Sequence, residues 1–356
     1  MKAGILYNDG DIRLGDAPEP RIKPDEVLVQ SQFAGICGTD VHIYRGEFHS
    51  RVKFPAIQGH EFGGVILELG QDVTGFRVGD RVAVDPIISC HACPACLSGH
   101  INACRSLKLL GVDLDGGFGQ YVAVPASHCF MMPDNLPMEQ VSMVEMYGLG
   151  VHVLRRGRVE VGETVVILGA GKLGLSVLDV LCHSANPVTS LITDFQPFRL
   201  DVARKLGVDY AINIEEEDPY ERVMEMTQGM GADVVIECIG HYHLPHGKED
   251  PELQAAPLAQ AVRMIRNGGR IVTAGLGEQL TPVHFKTLVI KEAEIIATRV
   301  TLGEFPRAIK LMSKGLLHPD LLITGKVPLR EISTAFAKVD REDPETIKLV
   351  LDIQDV

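Results

Sequence analysis

The hexapeptide Gly169-Ala170-Gly171-Lys172-Leu173-Gly174 lies between a continuous apolar run, Val165–Leu168, and a stretch of helical periodicity, Lys172–His183. No other feature constrains the fold of this chain as tightly. A strand that passes straight into a helix through three glycines needs a tight turn at Gly169, room for close backbone approach at Gly171, and intimate helix–strand packing at Gly174. The pattern then repeats. Leu191–Thr193, Tyr210–Ile212, Val234–Cys238 and Ile271–Ala274 are short apolar runs, and helical stretches such as Phe198–Leu206 and Leu258–Ile265 separate them. Ile295–Val300 offers a further strand. Apolar runs alternating with helices imply parallel strands covered on both faces, which is a doubly wound α/β sheet.

The same turn predicts a ligand. The helix that opens at Lys172 and Leu173 presents free backbone N–H groups, a ready anion site for a pyrophosphate. Asp194, twenty residues after Gly174 and at the end of the next apolar run, is placed to bind ribose hydroxyls. A carboxylate there repels a 2′-phosphate, so NAD is expected over NADP, while Arg199 leaves room for tolerance of NADP.

At 356 residues the chain is long enough for two domains. Before Gly148 the pattern is different: Val27–Phe33, Phe62–Leu69, Arg81–Asp85 and Gly119–Val124 read as short strands bounded by Gly, Pro or Asp, which suggests a β barrel or sandwich. The tail, with helix candidates Glu304–Ser313 and Glu331–Lys338, is too short to fold alone and is expected to pack on an earlier domain. The expected division is therefore 1–150 with 298–356, and 151–297. The segment 241–257 is polar, with His241, His243 and His246 in a spacing that reads as an exposed loop.

Four of the eight cysteines crowd into residues 90–104, as Cys90-x2-Cys93-x2-Cys96-x7-Cys104. Four thiolates at such spacing can enclose one tetrahedral zinc with no open position, which is a structural site. The net charge of −13, spread along the chain, argues against nucleic acid or an anionic membrane as partner. No apolar stretch approaches spanning length and acid enters the N-terminus at Asp9 and Asp11, so a cytoplasmic protein is expected.

A second set of metal-type residues is dispersed: Cys37 in Gly35-Ile36-Cys37-Gly38-Thr39-Asp40-Val41-His42, His60 in Gly59-His60-Glu61, and Glu145 in Val144-Glu145-Met146. Thiolate, imidazole and carboxylate together suit a zinc that keeps a place for water or substrate, although spacing alone does not bring them together. The run Gly59-His60-Glu61-x2-Gly64-x5-Gly70-x2-Val73 matches the zinc alcohol dehydrogenase signature. With the Cys37-Gly38-Thr39-Asp40 element, the four-cysteine lobe and the glycine turn, the chain resembles the zinc-containing medium-chain dehydrogenases over nearly its whole length. It is most similar to the polyol branch of sorbitol, arabinitol and galactitol dehydrogenases, with threonine dehydrogenase also close. Cys37 through Tyr44, Gly116-Gly117-Phe118 and Glu145 support that placement. One departure is Met146, where the family usually has proline.

The resemblance implies a GroES-like β-barrel catalytic domain joined to a Rossmann domain. It also implies two zinc ions per chain, with Cys37, His60, Glu61 and Glu145 as residues of the catalytic one. Either glutamate could be the ligand. The zinc is expected to act as a Lewis acid on a secondary hydroxyl of a polyol or sugar acid, with hydride passing to NAD and the proton leaving through Thr39 towards His42. Tyr44, Phe48, Phe118 and Arg299 are implied near the substrate, and His49, Arg51 and Lys53 hint at positive charge near the pocket entrance. Homodimers or homotetramers are implied through the sheet edge near Ile295–Val300. Two alternatives stay open: an L-threonine 3-dehydrogenase or simple alcohol dehydrogenase, and a non-catalytic, nucleotide-responsive binding protein.

Overall fold

The computed structural model describes residues 1–47, 51–183, 187–240, 256–277, 281 and 283–356. Phe48, His49 and the histidines of the 241–257 segment lie outside the described residues. The chain divides into two compact units. The first comprises Met1–Gly148, Val300–Gly315 and Pro319–Val356, and the second Leu149–Arg299 with Leu316–His318. The short Leu316–His318 piece therefore clusters with the second unit, whereas the sequence assigned the whole tail to the first.

In the first unit the backbone of the site is a mixed sheet running Cys129–Met131, Arg81–Val84, Glu61–Leu69, Glu26–Gly35, Lys348–Asp352 and Ile323–Pro328, with Tyr121–Pro125 also paired to Glu26–Gly35. Along the strand Glu26–Gly35 the pleat turns Val27, Val29 and Ser31 to one face, where none has any exposure, while Leu28 and Gln30 between them are only half-buried. Val27 and Val29 meet Ile66, Val82, Val124 and Leu351 in the core. Register fixes what stands together at the strand ends: Gly35 is opposite Glu61 on one side and Val350 on the other. A slip of one residue would turn each of these side chains to the other face, so burial of the core also locks the site's geometry. A separate hairpin, Lys2–Asn8 with Asp11–Asp16, is joined by Ala56–Ile57.

The second unit is the doubly wound sheet that the glycine turn implies. Its order is Tyr210–Asn213, Thr189–Asp194, Thr164–Leu168, Ala232–Glu237, Ile265–Thr273 and Glu294–Ala297, with every neighbouring pair parallel. Numbered by appearance in the chain, the order is 3-2-1-4-5-6, which places a switch point between Thr164–Leu168 and Ala232–Glu237. Val166, Leu191, Val235 and Ile271 are wholly buried, as strands covered by helices on both faces must be. The helix Lys172–His183 has the bounds its periodicity predicts. The last strand is shorter than expected, Glu294–Ala297, and Val300 belongs to the first unit.

Candidate active site and metal clusters

Cys37 caps the helix Gly38–Tyr44 in extended backbone conformation, and its own N–H donates to Asp40 Oδ2 at 2.7 Å. That short loop holds the thiol half-buried at the end of the Glu26–Gly35 strand. His60 directly precedes, and Glu61 begins, the antiparallel neighbour of that strand. The consequence is convergence: one donor atom each from Cys37, His60 and Glu61 lies within 4.8 Å of the others. His60 is buried, and its Nδ1 faces Asp40 Oδ1 at 3.5 Å, which leaves its other nitrogen for a ligand. A carboxylate behind an imidazole is the arrangement that orients metal-binding histidines.

The charges of this cluster show in its protonation. Burial alone would lower the His60 imidazole, but the negative groups Cys37 and Asp40 outweigh it and raise the imidazole well above its ordinary value. Glu145 opens the helix Val144–Gly157, is buried, and has its carboxyl pushed up to about 7 by that burial, with His60 pulling the other way. It stands outside the 4.8 Å set, so the structure brings three of the four expected donors to one point and places the fourth at longer electrostatic range.

Lys348, which the sequence did not single out, completes the cluster. Its ammonium pairs with Glu61 Oε2, both side chains have no exposure, and it lies 3.4 Å from the Ile36 carbonyl. Glu61 Oε1, by contrast, has no hydrogen-bond partner, as is also true of His60 Nδ1. Orphaned buried donors and acceptors of this kind are costly unless something else satisfies them. A cation held by Cys37, the other His60 nitrogen and Glu61 would satisfy Glu61 Oε1, while His60 Nδ1 keeps its 3.5 Å approach to Asp40, and the donor set fits zinc. Gly35 explains how the lysine reaches this point: a Cβ there would stand 2.5 Å from Lys348 Cε and 2.6 Å from Glu61 Oε2.

Of the other expected residues, Thr39 and His42 sit half-buried on the Gly38–Tyr44 helix, and His42 Nδ1 is paired with Glu47. Phe118 is corrected. It has no exposure and packs edge-on to Phe336, with its ring against the space a Gly59 Cβ would need. A fully buried ring of the barrel core cannot contact substrate. Tyr44 also leans on Phe336, with ring centroids 5.4 Å apart. Arg51 is committed to Asp113 through two guanidinium nitrogens, so its own share of the positive charge expected at the entrance is neutralised, while Lys53 is exposed.

In the four-cysteine lobe the sulfur separations are 3.9 Å for Cys90–Cys96, 3.5 Å for Cys93–Cys96 and 4.0 Å for Cys93–Cys104. Sulfurs bonded to a tetrahedral zinc at about 2.3 Å stand about 3.8 Å apart, whereas a disulfide would need about 2.05 Å. The fit to zinc is direct. Backbone N–H groups of Cys90 and Ser106 donate to Cys104 Sγ, each at 3.3 Å. Further N–H groups, of Arg105 and Cys96, hold the Cys93 thiol down to about 6.

In the glycine turn each glycine has its own reason. Gly169 has a φ of +94°, and a Cβ on Gly174 would fall 1.8 Å from the Gly169 carbonyl oxygen. Gly171 differs: a Cβ there would meet nothing within 4 Å, so this glycine leaves open room rather than relieving a clash inside the chain. That room suits the approach of a pyrophosphate. Asp194 accepts from the N–H of Ala170 at 2.8 Å and from those of Phe195 and Gln196 at 2.9 Å, so it also anchors the turn. Arg199 lies 3.8 Å from the same carboxylate.

Two family models match the chain: the alcohol dehydrogenase GroES-like domain over residues 23–134, and the zinc-binding dehydrogenase domain over 173–314. The chain is 31% identical over 355 residues to sorbitol dehydrogenase of Bacillus subtilis, covering 99% of this chain and 97% of that one. It is 36% identical over 319 residues to L-threonine 3-dehydrogenase of Pyrococcus horikoshii, covering 87% and 86%. Among solved structures, an Escherichia coli alcohol dehydrogenase (rspB) complexed with NADH superposes with a TM-score of 0.89 at 31% identity, over 99% of each chain. Whole-length relatives, both domain models and the geometry above agree, and the chain belongs to the zinc-containing medium-chain dehydrogenase family.

Proposed function

We propose that this enzyme oxidises a secondary hydroxyl of a polyol or sugar acid to a ketone, using NAD and two zinc ions per chain. The observation that carries the reading is the convergence of Cys37, His60 and Glu61 on one buried point in a chain that also has the glycine turn and Asp194. When bound, zinc supplies Lewis acidity towards the hydroxyl and the nicotinamide accepts the hydride.

The chain's own residues do the rest. Cys37 and His60 would hold the ion, and Asp40 orients His60. Glu61 and Glu145 are the carboxylates available to it, and the Lys348 ammonium restrains Glu61, which favours Glu145 as the more mobile partner. Thr39 and His42 would carry the proton outward, with Glu47 receiving the imidazolium. Gly169, Gly171, Leu173 and Gly174 would cradle the pyrophosphate, and Asp194 the ribose, with Arg199 at its side. Cys90, Cys93, Cys96 and Cys104 would hold the structural zinc.

The polyol reading draws on the sorbitol dehydrogenase relative. A second reading, L-threonine, is favoured by the higher identity to a threonine dehydrogenase. A panel of polyols, aldonates and L-threonine with NAD and NADP decides between them, and a clear threonine preference overturns the polyol choice. Turnover that survives Cys37→Ser unchanged would overturn the zinc mechanism itself, and NAD binding without turnover of any substrate by the unaltered protein would favour the non-catalytic reading.

Among the described residues no helix is long and apolar enough to cross a membrane. We read the enzyme as cytoplasmic and homo-oligomeric, a dimer or tetramer. What supports oligomerisation is the edge strand Glu294–Ala297, with exposed Ile295 on it and exposed Phe285, Val289 and Ile290 on the preceding helix. An apolar patch beside an open sheet edge invites pairing with a second copy.

A further inference from the structure

The helix Lys172–His183 buries nearly all of one face among apolar side chains, yet its buried residues include a carboxylate, Asp179, with no exposure. One turn later on the same face, as i and i+4 positions require, comes His183. His183 Nδ1 lies 3.0 Å from Asp179 Oδ1 and 2.9 Å from the Asp179 carbonyl oxygen. A third residue arrives from elsewhere in the sequence. His318 places its Nδ1 2.9 Å from the same Oδ1, and its backbone N–H donates to Asp179 Oδ2 at 2.7 Å. The two imidazole centroids are 4.4 Å apart, and one donor atom from each of the three residues lies within 4.8 Å of the others.

We propose that Asp179, His183 and His318 form a third metal site, for a divalent zinc-like cation. It shares no residue with the two clusters described above. Two nitrogens and one carboxylate oxygen are a donor set suited to first-row ions such as zinc and nickel, and three protein ligands leave positions for water. Ligand atoms bonded at about 2.1 Å stand about 3.4 Å apart round a tetrahedral ion and about 3.0 Å apart round an octahedral one, and the two nitrogens, 3.0 and 2.9 Å from Oδ1, come nearer the octahedral spacing, from which small side-chain shifts reach the tetrahedral one. The His318 N–H fixes the carboxylate so that Oδ1, not Oδ2, faces both rings. Both imidazoles are partly exposed, at 29% and 40% of the side chain, so an ion has a way in from solvent. Bound there, it would pin the Leu316–His318 segment to the helix.

A hydrogen-bonded Asp with two imidazoles has similar spacing, and the two arrangements differ in their response to metal. The tag-free enzyme, purified with its zinc, is titrated with zinc chloride, and bound metal per chain is counted after removal of excess. Melting temperature is followed alongside. The proposal expects His318→Ala and His183→Ala each to bind one zinc equivalent fewer than the unaltered enzyme at micromolar free zinc, with affinity for that equivalent weakened at least about tenfold. A zinc-dependent rise in melting temperature should likewise be present in the unaltered enzyme and reduced in both variants. Because the comparison is between variants, it does not depend on how the other two clusters are filled. Equal zinc content in all three proteins, or an extra equivalent that survives both substitutions, overturns the site.

Discussion

Replacing Lys348 by methionine removes the ammonium but keeps much of the side chain's length and apolar volume. Glu61 then keeps its burial and loses its charge partner, while Cys37 and Asp40 remain nearby as further negative groups. Breaking one side of a fully buried pair costs about 3–5 kcal/mol, mostly the penalty of stranding the other charge. At about 2–4 °C per kcal/mol for domains of 150–250 residues, the metal-free chain should melt about 6–20 °C lower than its unaltered counterpart. Zinc changes the outcome. A carboxylate released by Lys348 can turn to the ion, so zinc-loaded Lys348→Met should recover a large part of the loss and bind zinc more tightly than the unaltered enzyme. The assay is calorimetric or dichroism melting, with and without zinc, on Lys348→Met, Glu61→Gln and the double variant. Neutralising both partners should restore much of the stability, because the pair is coupled. Additive losses in the double variant, or a metal-free shift below about 3 °C, would refute the reasoning.

Four further expectations follow from the same geometry. Cys96→Ser should lower zinc content by one equivalent and reduce the melting temperature while NAD binding persists, as elemental analysis and cofactor titration would reveal. Asp194→Ala removes the acceptor of the Ala170 N–H and the ribose contact together; NAD affinity measured by fluorescence should fall about 10- to 100-fold, equivalent to about 1.4–2.7 kcal/mol. Burial raises the Asp85 carboxyl to about 6, so the folded chain holds a proton that the unfolded chain has released between pH 3.8 and 6, and stability falls as pH rises through that window. Asp85→Asn, which keeps an oxygen for the Ile87 N–H, should match the unaltered enzyme near pH 4 and exceed it above pH 7 by up to about 3 kcal/mol; a pH-independent difference in melting would contradict this. Ile290→Glu, on the apolar flank of the sheet edge, should shift the enzyme towards smaller species in light scattering, without changing its zinc content.

What could be read from the sequence was short in range. The glycine turn, the four cysteines and the Lys172–His183 helix are defined by spacings of a few residues, and the structure keeps each of them. Asp194 was visible because strand length sets the distance from the turn. The rest depends on pairings that one-dimensional pattern does not carry. Lys348 meets Glu61 across 287 residues of sequence, and a lysine at the head of an apolar run reads as a surface residue, not as a wholly buried one. The C-terminal strands Ile323–Pro328 and Lys348–Asp352 were missed for the same reason, since a five-residue run can be strand or helix until a partner strand decides. Phe118 was placed near substrate by resemblance, and only its contact with Phe336 and Gly59 returns it to the core. The Asp40 carboxylate behind His60 was in a quoted motif, but its role becomes visible only when the Gly59–His60 turn folds against it.

The four-cysteine lobe has a consequence for how the enzyme ages. Its base is tied by the ribbon Ile87–Ile88 with Lys108–Leu109, which holds the two ends of the lobe together. Cys93, already largely thiolate at neutral pH, is the natural first target of peroxide or air. A sulfenic acid formed there would sit within 3.5–4.0 Å of two neighbouring sulfurs and condense with either, expelling water and leaving a disulfide that can no longer chelate. Once that disulfide has formed, added zinc alone would not refill the lobe, and a reductant would have to reopen the bond first.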